Sequence, residues 1–450
     1  MTRVRAEGLR DLCGGAVHLP GDPGYDTARM PWNVMVEHHP AAVVYPAFAD
    51  EVAEVLRAAR AAGLKVAPQG TGHGAAPFEG RLGDAVLLRT SAMTELSITG
   101  TTARVGAGVL WGEVTDAAGA LGLAGLHASS PDVGVVGYSL GGGISWYARA
   151  RGLQSSGVTA VEVVLADGSF VRATAEQEPD LFWALRGGGG GLGVVTAMEF
   201  DLLPLPDVTA GMLVWDWTLA EKVLPAWVAW SHDAPDEITT SLRLLRAPDS
   251  PAIPAELRLR QLLVIDGAVL GPDEAAAAAL APLRALAPEL DTFGRVPAAH
   301  LARMHLEPEG PSPGYARSAL LSGLPTAAVE AMLAVVGPGT GSTLTVAELR
   351  QLGGALGRPD PRGGALDRLD GAFLALGIGV DADPVRYAQL VREAGRLLET
   401  LQPWGTGSHY LPMLDDEVEA RTGFASEAFG RLTAVRRAVD PDGLFVAQHA

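Results

Sequence analysis

The chain has 450 residues, 48% of them apolar and 19% charged, and 52 acidic against 34 basic side chains leave a net charge of −18. That composition is globular, and the length asks for two substantial domains, because single hydrophobic cores stop growing at about 250–300 residues. So acidic a surface repels phosphate backbones and anionic lipid, which argues against nucleic acid and membrane as partners.

The opening segment, MTRVRAEGLRDLCGG, is basic but lacks the apolar stretch of a secretory signal. Its Cys13 is the sole cysteine, so an intramolecular disulfide and a cysteine zinc site are excluded. The expectation is a soluble, reduced, cytoplasmic protein, monomeric or homodimeric. AAVVYP (41–46) reads as a strand, and ADEVAEVLRAARAAG follows with Val52, Val55, Leu56 and Ala59 at helical spacing. Asp50 is the expected N-cap and Gly63 the stop. LKVAP (64–68) completes a β-α-β unit that feeds into QGTGHG (69–74). A second block runs from TARVGAG (102–108) through a helix near Leu110–Leu121 to HASSPDVGVVGYSLGGGIS (127–145). A third is a hairpin, VTAVEVVLADGSFVRAT, turning at Asp167-Gly168. The helix PDLFWAL, the loop RGGGGGLG (186–193) and the strand VVTAMEF come next.

After Pro204 the character changes. MLVWDW (212–217), TTSLRLLRA (239–247) and ELRLRQLLVID (256–266) are strand-like, and DEAAAAALAPLRAL (273–286) is an alanine-rich helix. Trp215, Trp217, Trp227 and Trp230, at this spacing, suit a core better than a ligand platform; Arg243, Arg246, Arg258 and Arg260 accompany them. The fold class expected is α+β, with a first domain over 1–205, a second over 206–400 built on an antiparallel sheet covered by helices, and a segment over 401–450 returning to the first.

Three glycine-rich segments, 70–74, 141–143 and 187–191, fall at strand or helix ends in the first domain. Backbone amides in such turns form anion nests, and three in one domain favour a large phosphate-bearing cofactor. Gly70, Gly72 and Ala75 also fit a dinucleotide fingerprint, but APFEGRLGD after them cannot open the helix that a nicotinamide site needs. Gly137-Tyr138-Ser139-Leu140-Gly141 is a G-x-S-x-G match, so a serine hydrolase using Ser139 stands as the alternative, with His232, His300, His305, His409 and His449 as available partners. His73, between Gly72 and Gly74, has an unshielded imidazole able to attack an electrophilic carbon.

Pro68-Gln69-Gly70-Thr71-Gly72-His73 resembles the R-x-G-G-H loop of the berberine-bridge-enzyme-like oxidases, within the vanillyl-alcohol-oxidase (PCMH-type) flavoprotein superfamily. SSPDVGVVGYSLGGGISWYARARGL (129–153) is similar to that family's second flavin loop, and DLFWALRGGGGGLGVVTAMEF (180–200) to its signature. LPGDPGYDTARMPWN (19–33), ELRQLGGAL (348–356) and RLTAVRRAVDPDGLF (431–445) extend the likeness over almost the whole chain. The resemblance implies a two-subdomain PCMH-type domain holding FAD through a covalent bond from His73. The family's second, cysteinyl link belongs to a C-P-x-V pattern that here reads Ser130-Pro131-Asp132-Val133, so one link is expected. Val133 stands where valine goes with oxidase and leucine with dehydrogenase behaviour, which implies O2 as acceptor. Cofactor contacts are implied for Pro68 to Gly74, Ser130, Pro131, Val133, Gly134, Gly137, Tyr138, Ser139, Gly141, Gly142, Gly143, Gly187, Gly188, Gly189, Gly190, Val194 and Val195.

Tyr410-Leu411-Pro412-Met413 stands where relatives carry Y-x-N-[YF], which makes Tyr410 the implied catalytic base, with His409 and Tyr315 (in GYARS, 314–318) as other candidates. The activity expected is hydride transfer from an alcohol, sugar or natural-product intermediate to flavin N5, then to O2. A flavin-binding cyclase or carrier without redox turnover is the third reading.

Overall fold

The computed structural model describes residues 5–251, 253–307 and 309–449. Residues 1–4, at the head of the first expected domain, and Ala450, at the end of the returning segment, lie outside the described residues. The helix Ala49–Ala61 buries Val52, Ala53, Val55, Leu56 and Ala59 on one face. Phe48, not Asp50, occupies its N-cap, without a side-chain cap bond. Asp50 sits inside the first turn, where it meets the positive end of the helix dipole. Gly63 ends the helix at φ +65°. The strands on either side of this helix, Ala42–Val44 and Lys65–Gln69, both pair in parallel with Ala85–Arg89 between them. The β-α-β unit is therefore present with a third strand inserted, in a four-stranded sheet edged by Val17–His18.

A second, five-stranded antiparallel sheet has the spatial order Leu96–Thr99, Thr102–Gly106, Val194–Asp201, Val158–Val164, Phe170–Ala173. Its last pair is the expected hairpin: Gly168 takes φ +84° and Asp167 accepts from the Ser169 N–H at 2.8 Å. One core joins both sheets, running from Leu9 and Val44 through Val105 and Trp111 to Phe200 and Leu432.

The third sheet has eight strands, and its central order is Asp207–Asp216, Gln261–Val269, Ile238–Arg246, Val346–Gln351, Phe373–Val380, Gly314–Leu321. The strand expected over 256–266 begins only at Gln261, because Leu259 is in the left-handed region at φ +58° and turns the chain first. Helices Ala220–Asp233, Asp273–Arg284, Thr326–Val336 and Pro384–Leu401 cover one face. Leu213, Leu242, Ile265, Leu349 and Phe373 meet Trp227, Leu280, Met332 and Leu397 there. Trp215, Trp217 and Trp227 are buried in that layer, as core residues. The opposite face turns Ser241, Arg243, Asp266 and Glu348 toward the first half of the chain, all buried. Alternation along a strand imposes this split.

The final helix, Ser426–Val439, packs on Pro179–Leu185, and the tail then adds to the edge of the first sheet. Val66 donates to Leu444 O and accepts from the Val446 N–H, each at 2.9 Å.

Arg149 fastens the third sheet to the rest. Its buried guanidinium donates to Ile238 O at 2.7 Å, to Ala234 O at 2.9 Å and to Leu352 O. Removing it strands buried carbonyls, each costing about 1–3 kcal/mol. Arg149→Met should lower unfolding stability by about 3 kcal/mol or more, read from a denaturant midpoint, while Arg149→Lys recovers part of the loss.

Candidate functional site

The loop after Pro179–Leu185, the segment 409–424, the closing helix and the tail border a groove with about 500 Å³ of empty space, part of it open to solvent. Gly141 and Gly187 to Gly190 form one wall, and Arg436, Gln448 and His449 the other. No atom lies within 4 Å of the position a Cβ would take at Gly189 or Gly190, so bare backbone is the wall there. Facing it are buried polar atoms without hydrogen-bond partners: Arg436 Nε, Gln448 Nε2, His409 Nδ1 and His449 Nδ1. Such atoms are costly unless a polar ligand satisfies them. Burial depresses the Arg436 pKa, and its Nη2 donates to Gly188 O at 2.8 Å. A dinucleotide with a pyrophosphate fits this donor set. Arg436 and Gln448 escaped the sequence reading, since nothing local in the closing helix and tail marks them as ligands.

The His73 loop adjoins the groove, because a Cβ on Gly74 would stand 2.8 Å from Gln448 Nε2. Pro68 and Gln69 are strand residues, and the Gln69 side chain accepts from Arg89 Nη1 at 2.5 Å. Gly70 and Thr71 lead into Gly72, which has φ +89° and would press a Cβ to 2.7 Å from Pro31. Only glycine fits there. That close approach seats the His73 ring on Trp32, centroids 4.1 Å apart and planes 20° from parallel. His73 Nδ1 is 2.8 Å from Thr71 Oγ1, and Nε2 lies 3.5 Å from Asp132 Oδ1 with no hydrogen-bond partner. Asp132 accepts from Trp32 Nε1 at 2.7 Å, Gly310 N at 2.8 Å and Ser130 Oγ at 2.8 Å. Burial acts to raise its pKa, but these donors and the His73 ring outweigh it and hold the carboxyl well below the usual range. The sequence pattern gave no weight to Asp132.

Pro131 O accepts from the Gly112 N–H and Val133 O from the Trp111 N–H, which fixes the second loop. Gly134 leads into a short helix, Val135–Leu140, that contains Gly137, Tyr138 and Ser139. The hydrolase reading is corrected here. Ser139 is fully buried, its hydroxyl donates to Val135 O at 2.8 Å in its own helix, and no strand-to-helix elbow presents it. Tyr138 donates to His127 O. Beyond it Gly142 approaches Leu366, and Gly143, at φ +82°, would drive a Cβ to 2.5 Å from the Tyr138 ring.

The Gly143 N–H donates to the Tyr410 hydroxyl at 3.0 Å. Tyr410 is 2% exposed, and burial pushes its ionisation up, so the phenol is neutral where a base must be tyrosinate. Tyr315 commits its hydroxyl to Asp416 at 2.8 Å, and His409 lies in the groove wall. Val194 and Val195 begin a strand and pair with Val164 and Val163. Cys13 is buried, and burial pushes its thiol up to about 12.

A second cleft, with about 340 Å³ of empty space, opens between Ser145-Trp146 and the helix-free face of the third sheet, where Ser241 and Arg350 line it. Ser241 Oγ and Arg350 Nε each donate to Glu348 Oε1 at 2.7 Å.

Residues 40–174 match the family model of the FAD binding domain. Among relatives, (R)-6-hydroxynicotine oxidase of Paenarthrobacter nicotinovorans is 32% identical over 209 residues, 46% of this chain and 46% of the relative. Glucooligosaccharide oxidase of Sarocladium strictum is 31% identical over 240 residues, 50% of this chain and 47% of the relative. These matches thus span about half the length of each relative. The structure of Physcomitrella patens BBE-like 1 superposes with a TM-score of 0.84 at 21% identity, covering 100% of this chain and 98% of the other. Among the described residues no helix is long and apolar enough to cross a membrane. The chain carries an FAD-binding domain and has, from end to end, the fold of the berberine-bridge-enzyme-like flavoproteins.

Proposed function

We propose that this protein is an FAD-dependent oxidase whose flavin is bonded once, through His73, and whose substrate is a small organic alcohol, sugar or natural-product intermediate. The observation that carries the reading is the posture of His73. Its imidazole is gripped by Trp32, Thr71 and Asp132, and Nε2 has no hydrogen-bond partner beside a groove of glycine backbone and unsatisfied donors. Residues 1–205 hold the cofactor, 206–400 supply the substrate wall, and 401–450 return to close the groove. Gly70, Gly72, Gly141 and Gly187 to Gly190 offer backbone to the phosphate-bearing part, and Arg436 offers charge. Bound there, FAD would supply the acceptor for a hydride from a substrate carbon and the path of its electrons to O2 as H2O2. Val133, half-buried beside Asp132, is the residue that governs oxygen access. Tyr410, neutral and bonded to Gly143, supports the loop and walls the pocket. The acceptor O2, the cytoplasm as compartment and a monomeric or homodimeric state complete the reading.

Purified with ample FAD, the protein should be yellow, and acid precipitation should leave the colour in the pellet. His73→Ala should release it to the supernatant, and retention would reject the anchor. Intact mass should exceed the polypeptide by one FAD, unchanged in Cys13→Ser. After photoreduction, wild-type flavin should reoxidise rapidly in air, whereas a non-redox cyclase or carrier has no need to. Val133→Leu should slow that step at least about tenfold, some 1.4 kcal/mol in barrier, as followed by absorbance.

A further inference from the structure

The buried charges on the helix-free face of the third sheet form a chain of contacts that ends in the open. Arg243 and Asp266 are ion-paired on neighbouring strands. The His305 ring stands beside them, 1% exposed in its side chain, with Nε2 3.6 Å from Asp266 Oδ2 and Nδ1 3.5 Å from Glu307 Oε1. It packs edge-on against Trp146, a residue of the second cleft, with centroids 4.9 Å apart. Both ring nitrogens lack a close hydrogen-bond partner. The last member differs from the others: Asp266 is fully buried, but the Glu307 side chain is 46% exposed.

Glu307 also stands between two places already described. On one side Arg350 of the second cleft and Glu348 act on its carboxylate. On the other, three residues along the chain, the Gly310 N–H donates to Asp132, the carboxylate beside His73. Ser312 continues the attachment by donating to Trp32 O at 3.0 Å. The segment therefore links the surroundings of His73 and the second cleft; Glu309 on it is engaged by Arg303 at 2.7 Å, and Glu307 is a half-exposed carboxylate beside His305.

We propose that Glu307 is the residue that takes the substrate's O–H or N–H proton, and that His305, backed by Asp266, positions it. The assignment rests on the oxidase reading above. In the step, a substrate carbon loses a hydride (two electrons and one proton) to oxidised flavin, and the adjacent O–H or N–H proton passes to the Glu307 carboxylate. The substrate leaves as a carbonyl or imine. O2 then takes both electrons and both protons as H2O2, and Glu307 is again ionised. This division suits Tyr410, whose phenol is neutral and engaged with Gly143.

The charged groups facing Glu307 are His305, Arg350 and Glu348, with Asp266 and Arg243 behind the imidazole. Burial acts to raise the Glu307 pKa, but His305 and Arg350 outweigh it and Glu307 is held below the ordinary carboxylate value. Burial and Arg243 act to lower the His305 pKa, yet Asp266 and Glu307 outweigh them and hold it raised, with the ring between two carboxylates. Loss of the His305 ring, which acts to lower the Glu307 pKa, must therefore move Glu307 titration upward in pH.

The test uses flavin-loaded protein and a probe set of cellobiose, maltotriose, benzyl alcohol and (R)-6-hydroxynicotine, with peroxide release selecting the probe for anaerobic stopped-flow. Glu307→Gln should cut the rate of flavin reduction by about 100-fold or more, with the covalent flavin, its spectrum and the thermal midpoint unchanged, and Glu307→Asp should restore part of it. In His305→Asn the rise of the reduction rate with pH should shift to higher pH, which a purely structural defect does not produce. Reduction by Glu307→Gln within threefold of wild type overturns the assignment and leaves the oxidase reading standing. Wild-type protein that loads flavin but reduces it with none of the probes overturns both.

Discussion

The site depends on one carboxylate. Asp132 gathers donors from positions 32, 310 and its neighbour 130 and the ring of His73, so three distant parts of the chain meet on two oxygen atoms. A buried carboxylate is tolerated only when its lone pairs are filled, and hydrogen bonds to a charged acceptor contribute about 1.5–3 kcal/mol each. The arrangement locks itself: each donor is held because the charge needs it, and the charge is held because the donors are there. The indole of Trp32 joins the two contacts, stacking under the His73 ring while its N–H donates to Asp132. Orientation of the imidazole is thereby linked to the segment that carries Glu307.

Two kinds of wall follow from two kinds of secondary structure. The groove near the tail has one wall of turns, where glycine brings the main chain close to a ligand, and a facing wall of polar side chains, Arg436, Gln448 and His449. The cleft against the third sheet is made of strand side chains, and the two-residue repeat sorts them. Leu242 and Leu349 go to the helices, while Ser241, Arg243, Glu348 and Arg350 go to the opposite face. The register places Arg243 opposite Glu348 and Ser241 opposite both Arg350 and Asp266. Charges of opposite sign on adjacent strands neutralise one another across the ladder, which is how so polar a face can be buried.

Much of this was legible in the chain. Glycine at 72 and 143, the hairpin at Asp167-Gly168 and the helix over 49–61 are local facts, encoded by φ preferences and apolar spacing, and the structure returns them. Ser139 misled because five residues cannot say whether they end a strand or lie inside a helix. Asp50 misled because a capping residue is defined by backbone that only the entering chain sets, and Phe48 arrives there extended. Asp132, Arg436 and the Asp266–His305–Glu307 chain were hidden for a different reason. Most of their partners lie tens to hundreds of residues away, and a long antiparallel sheet with helical crossovers does not announce its register in sequence. Arginine and serine inside a strand read as a solvent face when the layer that covers them is unknown.

The same contrast explains how likeness to other proteins is distributed. The match to the FAD binding domain ends at residue 174, and relatives align over about half of this chain, yet the fold superposes along its full length at 21% identity. A groove built from backbone constrains only where glycine must be, so its sequence stays recognisable through a few short motifs. A cleft built from side chains on a rigid sheet constrains little beyond the alternation of apolar and polar positions. Such strands can exchange the side chains of their open face while the helix-covered face keeps the sheet in place. The family-model match, over residues 40–174, accordingly falls in the glycine-loop half of the chain. On the oxidase reading proposed above, the residues that select a substrate are to be sought on the helix-free face, around Glu307, Arg350 and Trp146, and not in the glycine loops.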